Sequence, residues 1–411
     1  MFFIFYFFKT IFHDIIKLYI NKIFLMKGLK SVKLLENKAS LAYVDFEIDV
    51  KNEDFDDRKL RELIDTLEYL SFNNQKIILF SKENNLNNLE KILLRLSSLL
   101  KLNKDFNKEI LLYKDSNLEN FNSFLNLMNF GDIVCVKNIS SYANNDKEFK
   151  DILKYFLKQI KYFIFENFYD FYNKDKFILE ITKKVKTFLG FSCLEKYQAF
   201  LKIKVGKVKS LAVVGGEYNN SKIDFIETLL KKKTTILLGG EVSSIFSFVY
   251  INRILKKNKK YNTKSNNRLF ALLKNYKKNI ILPDDYIVSK NRYKNQALYR
   301  KNVEELTLAD YIFDIGPETI KKYVKYINSS SCLLWSGLLG IVEDKNASNA
   351  SLMMSEMFCS RANGPSYGVV IGNRTCKFVF ENKYGEDVDY LFYEKDTIYR
   401  LISNEKNDFT R

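Results

Sequence analysis

Short apolar runs that are rich in β-branched and aromatic residues alternate along this chain with amphipathic helical patterns. The runs lie at 41–50, 76–81, 109–113, 132–136 and 162–166 in the first half, and at 210–216, 234–240, 279–283, 311–316, 331–337 and 367–372 in the second. A strand followed by a helical pattern, repeated many times, is typical of βαβ units and a mostly parallel sheet. We therefore predict an α/β protein built from doubly wound parallel sheets.

The chain has 411 residues, more than one hydrophobic core usually serves, so we predict two domains. We expect an N-terminal α/β domain at 26–185, a C-terminal α/β domain of nucleotide-binding type at 186–385, and a tail at 386–411. A helical stretch at 177–203 is predicted to connect the two domains as a hinge helix. Another helix is predicted from Asp57 to Ser71 because apolar residues there recur at helical spacing.

Residues 1–25 are apolar and aromatic, but charged residues interrupt them. No stretch reaches the roughly 18 apolar residues of a membrane span, so we expect none. Two interpretations stay open: a leader peptide that directs the chain to an organelle, or an extension upstream of a second start at Met26. We expect a cytoplasmic protein in the second case.

The formal net charge of +17 raises the question of a nucleic-acid partner, because clustered cations displace counterions from phosphate backbones. Only 11 of the 66 basic residues are Arg, and lysine is accompanied throughout by the Asn, Ile, Phe and Tyr that an AT-rich coding bias favours. The basic runs are short and no nucleic-acid-binding motif is found. We expect no nucleic-acid partner, and a basic scaffold for a polyanion such as RNA remains the lesser alternative.

The sequence contains five cysteines without a CxxC pair and a single histidine, His13. An odd number of widely spaced cysteines argues against a disulfide framework or a structural zinc site, and favours a reducing compartment. Without histidine in the folded body, Ser-His-Asp and Cys-His mechanisms and His-ligated metals are excluded. We assign no metal ligand.

Several predicted strands end in glycine: Gly215-Gly216, Gly239-Gly240, Gly316, Gly337 and Gly372. Ligands of open parallel sheets lie beyond the carboxyl ends of the strands, where glycine lets the backbone approach a phosphate. The second half therefore has the pattern of a nucleotide site. Glycine also ends strands and caps helices, and this structural role stays the alternative for each turn.

The same glycine turns, in order, resemble those of the phosphoglycerate kinase family. LAVVGGEYNNSKIDFIETLL is similar to the family's GGAKVxDKI segment, TTILLGGEVSSIFSF to its GGGMAxTF segment, YIFDIGPET to DIGPxT, and CLLWSGLLGIVE to WNGPxGxFE. In the first half VDFEIDV resembles VDFNVPL. The resemblance implies a domain for 3-phosphoglycerate, a domain for Mg-ADP or Mg-ATP, and closure about a hinge.

The resemblance also implies which residues form the sites. Asp45 and Arg58 stand at the positions of the substrate-loop aspartate and the catalytic arginine. The nucleotide side is implied by Gly215, Gly216, Lys222, Gly239, Gly240, Gly316, Pro317 and Glu343, of which Glu343 matches the ribose-binding glutamate. An ordinary structural role remains the alternative for each.

Many other positions depart from the family pattern. The SHLGRP loop reads SKENNL at 81–86, the arginine after LEN is Ser140, and NDAFGxAHR becomes ENFYD without histidine or arginine. The first lysine of the phosphate turn is Tyr218. The GGGD turn, whose aspartate holds magnesium, reads GNRT at 372–375, and the STGGGAS loop is replaced by YLFYEKDTIY at 390–399.

These departures remove most cations and the glycine backbone on which phosphoryl transfer depends. We predict a phosphoglycerate-kinase-like protein that is catalytically impaired or inactive and retains weak adenine-nucleotide binding, with the magnesium site in doubt. The alternative is an active divergent kinase that converts ADP and 1,3-bisphosphoglycerate to ATP and 3-phosphoglycerate. We expect a monomer, and a protein partner is left open.

Overall fold

The structure is a computed structural model that describes residues 28–29, 33–35, 38–44, 46, 56–80, 83, 85–115, 118–136, 146–167, 176–254, 264–291 and 297–404. The chain divides into two compact units between Tyr197 and Gln198. Each unit contains a parallel sheet with helices, so the predicted α/β class with two parallel-sheet domains is confirmed.

A six-stranded sheet in which every pairing is parallel forms the centre of the N-terminal unit. Its strands are β1 (Lys38–Tyr43), β2 (Gln75–Phe80), β3 (Ile110–Tyr113), β4 (Ile133–Val136), β5 (Tyr162–Phe165) and β6 (Lys186–Leu189). They are arranged in the order β3-β4-β2-β1-β5-β6. Most of their residues are buried, as expected where helices cover both faces of a parallel sheet.

The described residues of this unit form the helices α1 (Arg58–Arg61), α2 (Ile64–Phe72), α3 (Leu86–Leu100), α4 (Leu118–Leu127), α5 (Asp146–Gln159), α6 (Lys176–Lys184) and α7 (Phe191–Leu201). Helix α3 shows why such segments are helical. Leucine and isoleucine recur at three- and four-residue spacing on its buried face, and the Asn85 side chain accepts hydrogen bonds from two amides of the first turn. The predicted helix from Asp57 to Ser71 is broken after Arg61 into α1 and α2.

The predicted helical connection at 177–203 differs in the structure. Strand β6 separates α6 from α7 and pairs with β5, because a short apolar run, Phe188-Leu189, extends the sheet by one strand. The division between the units therefore lies within α7 rather than at the predicted residue 185. The predicted strand at 41–50 begins at Lys38 and ends at Tyr43, and residues 47–50 lie outside the described residues.

The C-terminal unit has a second six-stranded parallel sheet with the order β15-β14-β13-β7-β8-β9. Its strands are β7 (Ser210–Val214), β8 (Thr235–Leu238), β9 (Ile280–Ile281), β13 (Cys332–Ser336), β14 (Tyr367–Ile371) and β15 (Tyr390–Phe392). The accompanying helices are α8 (Asn220–Lys231), α9 (Gly240–Val249), α10 (Lys264–Asn275), α11 (Pro317–Asn328), α12 (Asn349–Ala362), α13 (Asn373–Glu381) and α14 (Lys395–Asn404).

A separate three-stranded antiparallel sheet was not predicted. It contains β10 (Asp285–Ser289), β11 (Tyr299–Asn302) and β12 (Tyr311–Ile315) in the order β11-β10-β12. We predicted the β12 segment as part of the parallel alternation. A parallel neighbour requires a crossover of a dozen or more residues, whereas β10 and β11 follow one another through a shorter connection and pair antiparallel. Strand β12 pairs antiparallel with the other edge of β10.

Residues from 386 on, for which we predicted a tail, contribute a strand and a helix to the C-terminal unit. Strand β15 pairs with β14, and helix α14 lies against α8, where the rings of Phe225 and Tyr399 stack with centroids 3.8 Å apart. The Tyr399 hydroxyl is also hydrogen-bonded to the Ser336 hydroxyl at the end of β13. Apolar residues at helical spacing after Lys395 explain this helix.

Within the described residues no helix is long and apolar enough to cross a membrane. All five cysteines are buried as free thiols.

Candidate functional site

Of the two candidate residues of the N-terminal unit, one lies outside the described residues and the other does not. Asp45 lies outside the described residues. Arg58 is the first residue of α1, and its Nε donates to both carboxylate oxygens of Asp56, at 2.7 and 2.9 Å. The guanidinium also forms an ion pair with Asp56, and about a third of the Arg58 side chain is exposed. The candidate catalytic arginine is therefore engaged by a carboxylate two residues away.

Glu166, in the segment that has lost the family's histidine and arginine, is turned into the core. Its carboxylate accepts hydrogen bonds from the Thr66 hydroxyl and from the Cys193 amide, and a Cβ on Gly190 would overlap it. Burial raises the pKa of Glu166 to about 7, against the opposing effect of these hydrogen bonds. This carboxylate joins the end of β5 to α2 and to the start of α7.

The glycine turns of the C-terminal unit come together at one edge of its parallel sheet. Strands β8, β7, β13 and β14 are neighbours and run in the same direction, so their carboxyl ends lie side by side. Beyond these ends follow Gly239-Gly240, Gly215-Gly216, Gly337 and Gly372. The structure thus groups the predicted strand-end glycines, except Gly316, at the edge where ligands of such sheets bind.

The turns after β7 and β13 are in direct backbone contact. The Gly216 amide donates to the Leu338 carbonyl at 2.6 Å, and a Cβ on Gly337 would overlap the Gly215 carbonyl oxygen. Gly337 also has a φ of +97°, a conformation that L side chains rarely adopt. Glycine is required here because two loops touch.

The turn after β8 follows the same principle. Gly240 has a φ of +57°, its amide donates to the Leu339 carbonyl at 2.9 Å, and a Cβ there would overlap the Gly216 amide. A Cβ on the preceding Gly239 would overlap the side chain of Leu339. These close approaches are made to neighbouring loops of the same unit.

Lys222 is the buried cation of this edge. It lies in the first turn of α8, is 6% exposed, and its Nζ donates to the Gly215 carbonyl at 2.5 Å. Burial, followed by the nearby charge of Lys395, lowers the pKa of Lys222 to about 8, while Glu217 and Glu241 act in the opposite direction. The amide of Lys222 is capped by the Asn219 side chain at 2.9 Å.

Lys395 reaches the same edge from the segment that replaces the family's glycine-rich loop. It is exposed and begins α14. A Cβ on Gly372 would lie 3.7 Å from the Cβ of Lys395, and the Gly372 amide donates to the Phe392 carbonyl at 2.7 Å. The turns after β14 and β15 are therefore adjacent, and the charge of Lys395 acts on Lys222.

Glu343, the candidate ribose ligand, forms an ion pair with Arg374. Both side chains are more than half exposed. Arg374 lies in the first turn of α13, in the turn where the resemblance places the magnesium aspartate. Magnesium prefers oxygen ligands, and a guanidinium offers none. Nor do the described residues contain any group of three or more His, Cys, Asp or Glu side chains that could hold a metal ion. The residues at this turn do not fit a magnesium site.

Gly316 and Pro317 lie at the start of α11, where a side chain of this chain already occupies the helix terminus. The Asp285 carboxylate accepts hydrogen bonds from the Glu318 amide at 3.2 Å and the Thr319 amide at 2.9 Å, and a Cβ on Gly316 would overlap it. Gly316 is therefore explained by the close approach of Asp285.

Two residues at the sheet edge were not among the predicted site residues. Lys395 and Arg374 both carry positive charge into turns where the family pattern has glycine or aspartate. The signal was present in the letters YLFYEKDTIY and GNRT, but sequence alone does not say which side chains of a replaced loop lie beside Lys222.

Comparison with known proteins shows similarity through both units. The family model of phosphoglycerate kinase matches residues 29–403. The phosphoglycerate kinase of Wolbachia pipientis wMel is 27% identical over 322 residues, 75% of this chain and 78% of the relative. That of Borreliella afzelii strain PKo is 25% identical over 354 residues, 82% of this chain and 86% of the relative. The solved phosphoglycerate kinase of Coxiella burnetii, 17% identical, superposes with a TM-score of 0.75 over 93% of this chain and 97% of its own.

Proposed function

Because the chain belongs to the phosphoglycerate kinase family, we propose that it is a member with greatly reduced or lost phosphoryl transfer whose C-terminal unit binds an adenine nucleotide. The observation that carries the first part is the ion pair between Arg374 and Glu343. It joins Arg374, in the turn that replaces the family's magnesium-binding turn, to the candidate ribose ligand.

Phosphoryl transfer depends on positioning and on cations that neutralise the charge of the transferring group. In the turn GNRT at 372–375 the aspartate position is Thr375, which has no carboxylate for the metal, and Arg374 beside it adds a positive charge. The pairing of Arg374 with Glu343 engages the candidate ribose ligand as well. Two contacts to the nucleotide that the resemblance implies are therefore altered at this turn.

The substrate side supports the same proposal. Arg58 must leave the Asp56 carboxylate before it can bind an anionic substrate. Charge-assisted bidentate pairs are the stronger hydrogen bonds of proteins, so this release has a free-energy cost. Sequence adds that Ser140 replaces the arginine after LEN and that His13 is the only histidine.

Nucleotide binding is supported by the sheet edge of the C-terminal unit. Parallel sheets bind ligands beyond the carboxyl ends of their strands, and the turns after β7, β13 and β14 meet there. A buried lysine is unfavourable to stability unless an anion or a hydrogen bond compensates it. The Lys222 ammonium at this edge donates to the neutral Gly215 carbonyl, so an anion is a suitable further partner.

One observation favours the alternative of an active divergent kinase. Lys395 lies beside Lys222 and supplies a cation from the segment that replaces the glycine-rich loop. A substitute cation at this place could restore part of the lost electrostatic stabilisation.

A coupled assay with 3-phosphoglycerate and Mg-ATP distinguishes the two, with an authentic phosphoglycerate kinase assayed in parallel. We expect kcat/KM to be at least about a thousandfold lower for this protein, since each lost electrostatic contact contributes about 10²–10³ in rate. Turnover close to that of the reference enzyme and abolished by Arg58→Ala would establish the active kinase instead. Thermal melting with ADP tests binding separately, and absence of any stabilisation at saturating ADP would remove that part.

A further inference from the structure

We propose that the C-terminal unit binds its nucleotide as the metal-free polyanion, with Lys222, Lys395 and Arg374 occupying the place of a divalent cation. This inference rests on the proposed nucleotide binding and adds the form in which the nucleotide is taken.

The three cations come from three turns at one edge of the sheet. Lys222 follows β7, Arg374 follows β14 and Lys395 follows β15. Strands β7, β13, β14 and β15 are consecutive and parallel, so the turns beyond them are neighbours. The Gly372 amide bonds to Phe392, and the Gly337 amide donates to the Thr375 hydroxyl at 3.0 Å, which fixes these turns to one another.

The two lysines at this edge of the sheet carry the same total charge as the divalent cation that they would replace. Lys222 and Lys395 together carry two positive charges when protonated, as Mg²⁺ does. Their proximity is unfavourable in the free protein, and the charge of Lys395 contributes to the lowered pKa of Lys222. A polyphosphate bound between the two ammonium groups would relieve this repulsion and complete the hydrogen bonding of Lys222.

Arg374 makes the turn after β14 unsuitable for a metal, and on release from Glu343 it can bind a phosphate. A guanidinium binds phosphate oxygens through a fork of N–H donors but cannot ligate a cation, and it repels one held nearby. Two carboxylates, those of Glu217 and Glu241, act on Lys222. Glu241 accepts the Tyr218 amide at 3.0 Å, and Glu217 is exposed. Magnesium would thus compete with the protein for the phosphates.

Calorimetric titration of the full-length protein with ADP, once in EDTA and once in excess Mg²⁺, tests the proposal without requiring a variant. We expect binding in EDTA to be at least as tight as in Mg²⁺. Binding at least about tenfold tighter in Mg²⁺, roughly 1.4 kcal/mol, would overturn the metal-free mode while leaving nucleotide binding intact. No heat of binding in either condition would overturn both.

Variants then identify the cations. Lys395→Ala should weaken ADP binding in EDTA about tenfold, the size of one charge-assisted contact. Lys207→Ala is the matched control, because Lys207 is an exposed lysine that precedes β7 at the opposite edge of the sheet. Equal affinities of these two variants would remove Lys395 from the site.

Arg374→Asp reverses the charge next to Thr375, the position of the family's magnesium aspartate. We expect this variant to bind ADP more tightly in Mg²⁺ than in EDTA, which is the opposite of the order expected for the wild type. Far-ultraviolet circular dichroism and ligand-free melting of each variant show that it is folded. An Arg374→Asp variant that responds to Mg²⁺ as the wild type does would contradict the role of Arg374.

Discussion

The Nζ of Lys222 donates a hydrogen bond to the carbonyl oxygen of Gly215 at 2.5 Å, with only 6% of the residue exposed to solvent. Its charge is held in the interior by a neutral acceptor, and the pKa of Lys222 falls to about 8, through burial first and Lys395 second. Protonated Lys222 therefore lowers the free energy of unfolding at neutral pH.

We expect Lys222→Met to raise the free energy of unfolding at pH 7 by about 1–2 kcal/mol, because the variant removes a desolvated charge at the expense of one hydrogen bond. The unfolded chain holds this proton to about pH 10.5, whereas the folded chain releases it near pH 8. The contribution of Lys222 to stability therefore rises with pH between those values, and the difference between variant and wild type should shrink toward pH 10.

Denaturant titration at several pH values measures this difference. Trp335 is the single tryptophan and is fully buried in β13, so its fluorescence reports on the C-terminal unit. A variant less stable than the wild type at pH 7 would show that the Gly215 hydrogen bond outweighs desolvation.

Gly337→Ala should destabilise the C-terminal unit by about 3 kcal/mol, since alanine would combine a strained positive φ with overlap of the Gly215 carbonyl. Gly364→Ala is the matched control, because a Cβ there would meet its nearest atoms, two carbonyl oxygens, at 3.7 Å. Trp335 fluorescence in urea measures both, and equal midpoints would refute the requirement for glycine at this loop contact.

Glu166→Gln should flatten the pH dependence of stability in the N-terminal unit. Burial raises the pKa of Glu166 to about 7, from 4.5. The folded state then binds the proton of Glu166 more tightly than the unfolded state does. The contribution of Glu166 to stability therefore falls as the pH rises from about 4.5 to about 7. Glutamine cannot ionise, so the free energy of unfolding of the variant should increase relative to that of the wild type between pH 5 and pH 8.

Calorimetric melting across that pH range tests the effect, with Glu90→Gln as the control because Glu90 is partly exposed and ion-paired with Lys114. The same pH profile for Glu166→Gln and wild type would show that Glu166 does not titrate there.

Tyr399→Ala should lower the free energy of unfolding by about 3–5 kcal/mol, the range for deleting a large buried side chain. The ring stacks on Phe225 and its hydroxyl bonds to Ser336. Tyr399→Phe keeps the stacked ring and should cost only about 1 kcal/mol. If both variants unfold at the wild-type urea concentration, α14 does not stabilise the unit.

Much of the fold was predictable because strand and helix signals are local. The run SLAVV at 210–214 and the buried leucines of α3 specify their elements within a few residues. Strand β6 and the antiparallel sheet were not predicted. Whether a two-residue apolar run becomes a strand, and which strands pair, depends on the neighbouring strands in three dimensions.

The candidate site was predictable only in its glycine turns and Lys222. Asp285 at the start of α11 and Lys395 beside Lys222 depend on contacts between segments far apart in sequence. Arg374 was visible as a departure from a pattern, but its pairing with Glu343 was not. The role of a charged residue in a replaced loop can be inferred only when the residues around it are known.

The central position of β7 has a consequence during protein synthesis. Its sheet partner on one side, β8, is translated soon after it, but the partner on the other side, β13, begins only at Cys332. Until the ribosome has delivered that segment, the nascent chain exposes one unpaired edge of an apolar strand, the kind of surface that chaperones recognise and that aggregates when left uncovered.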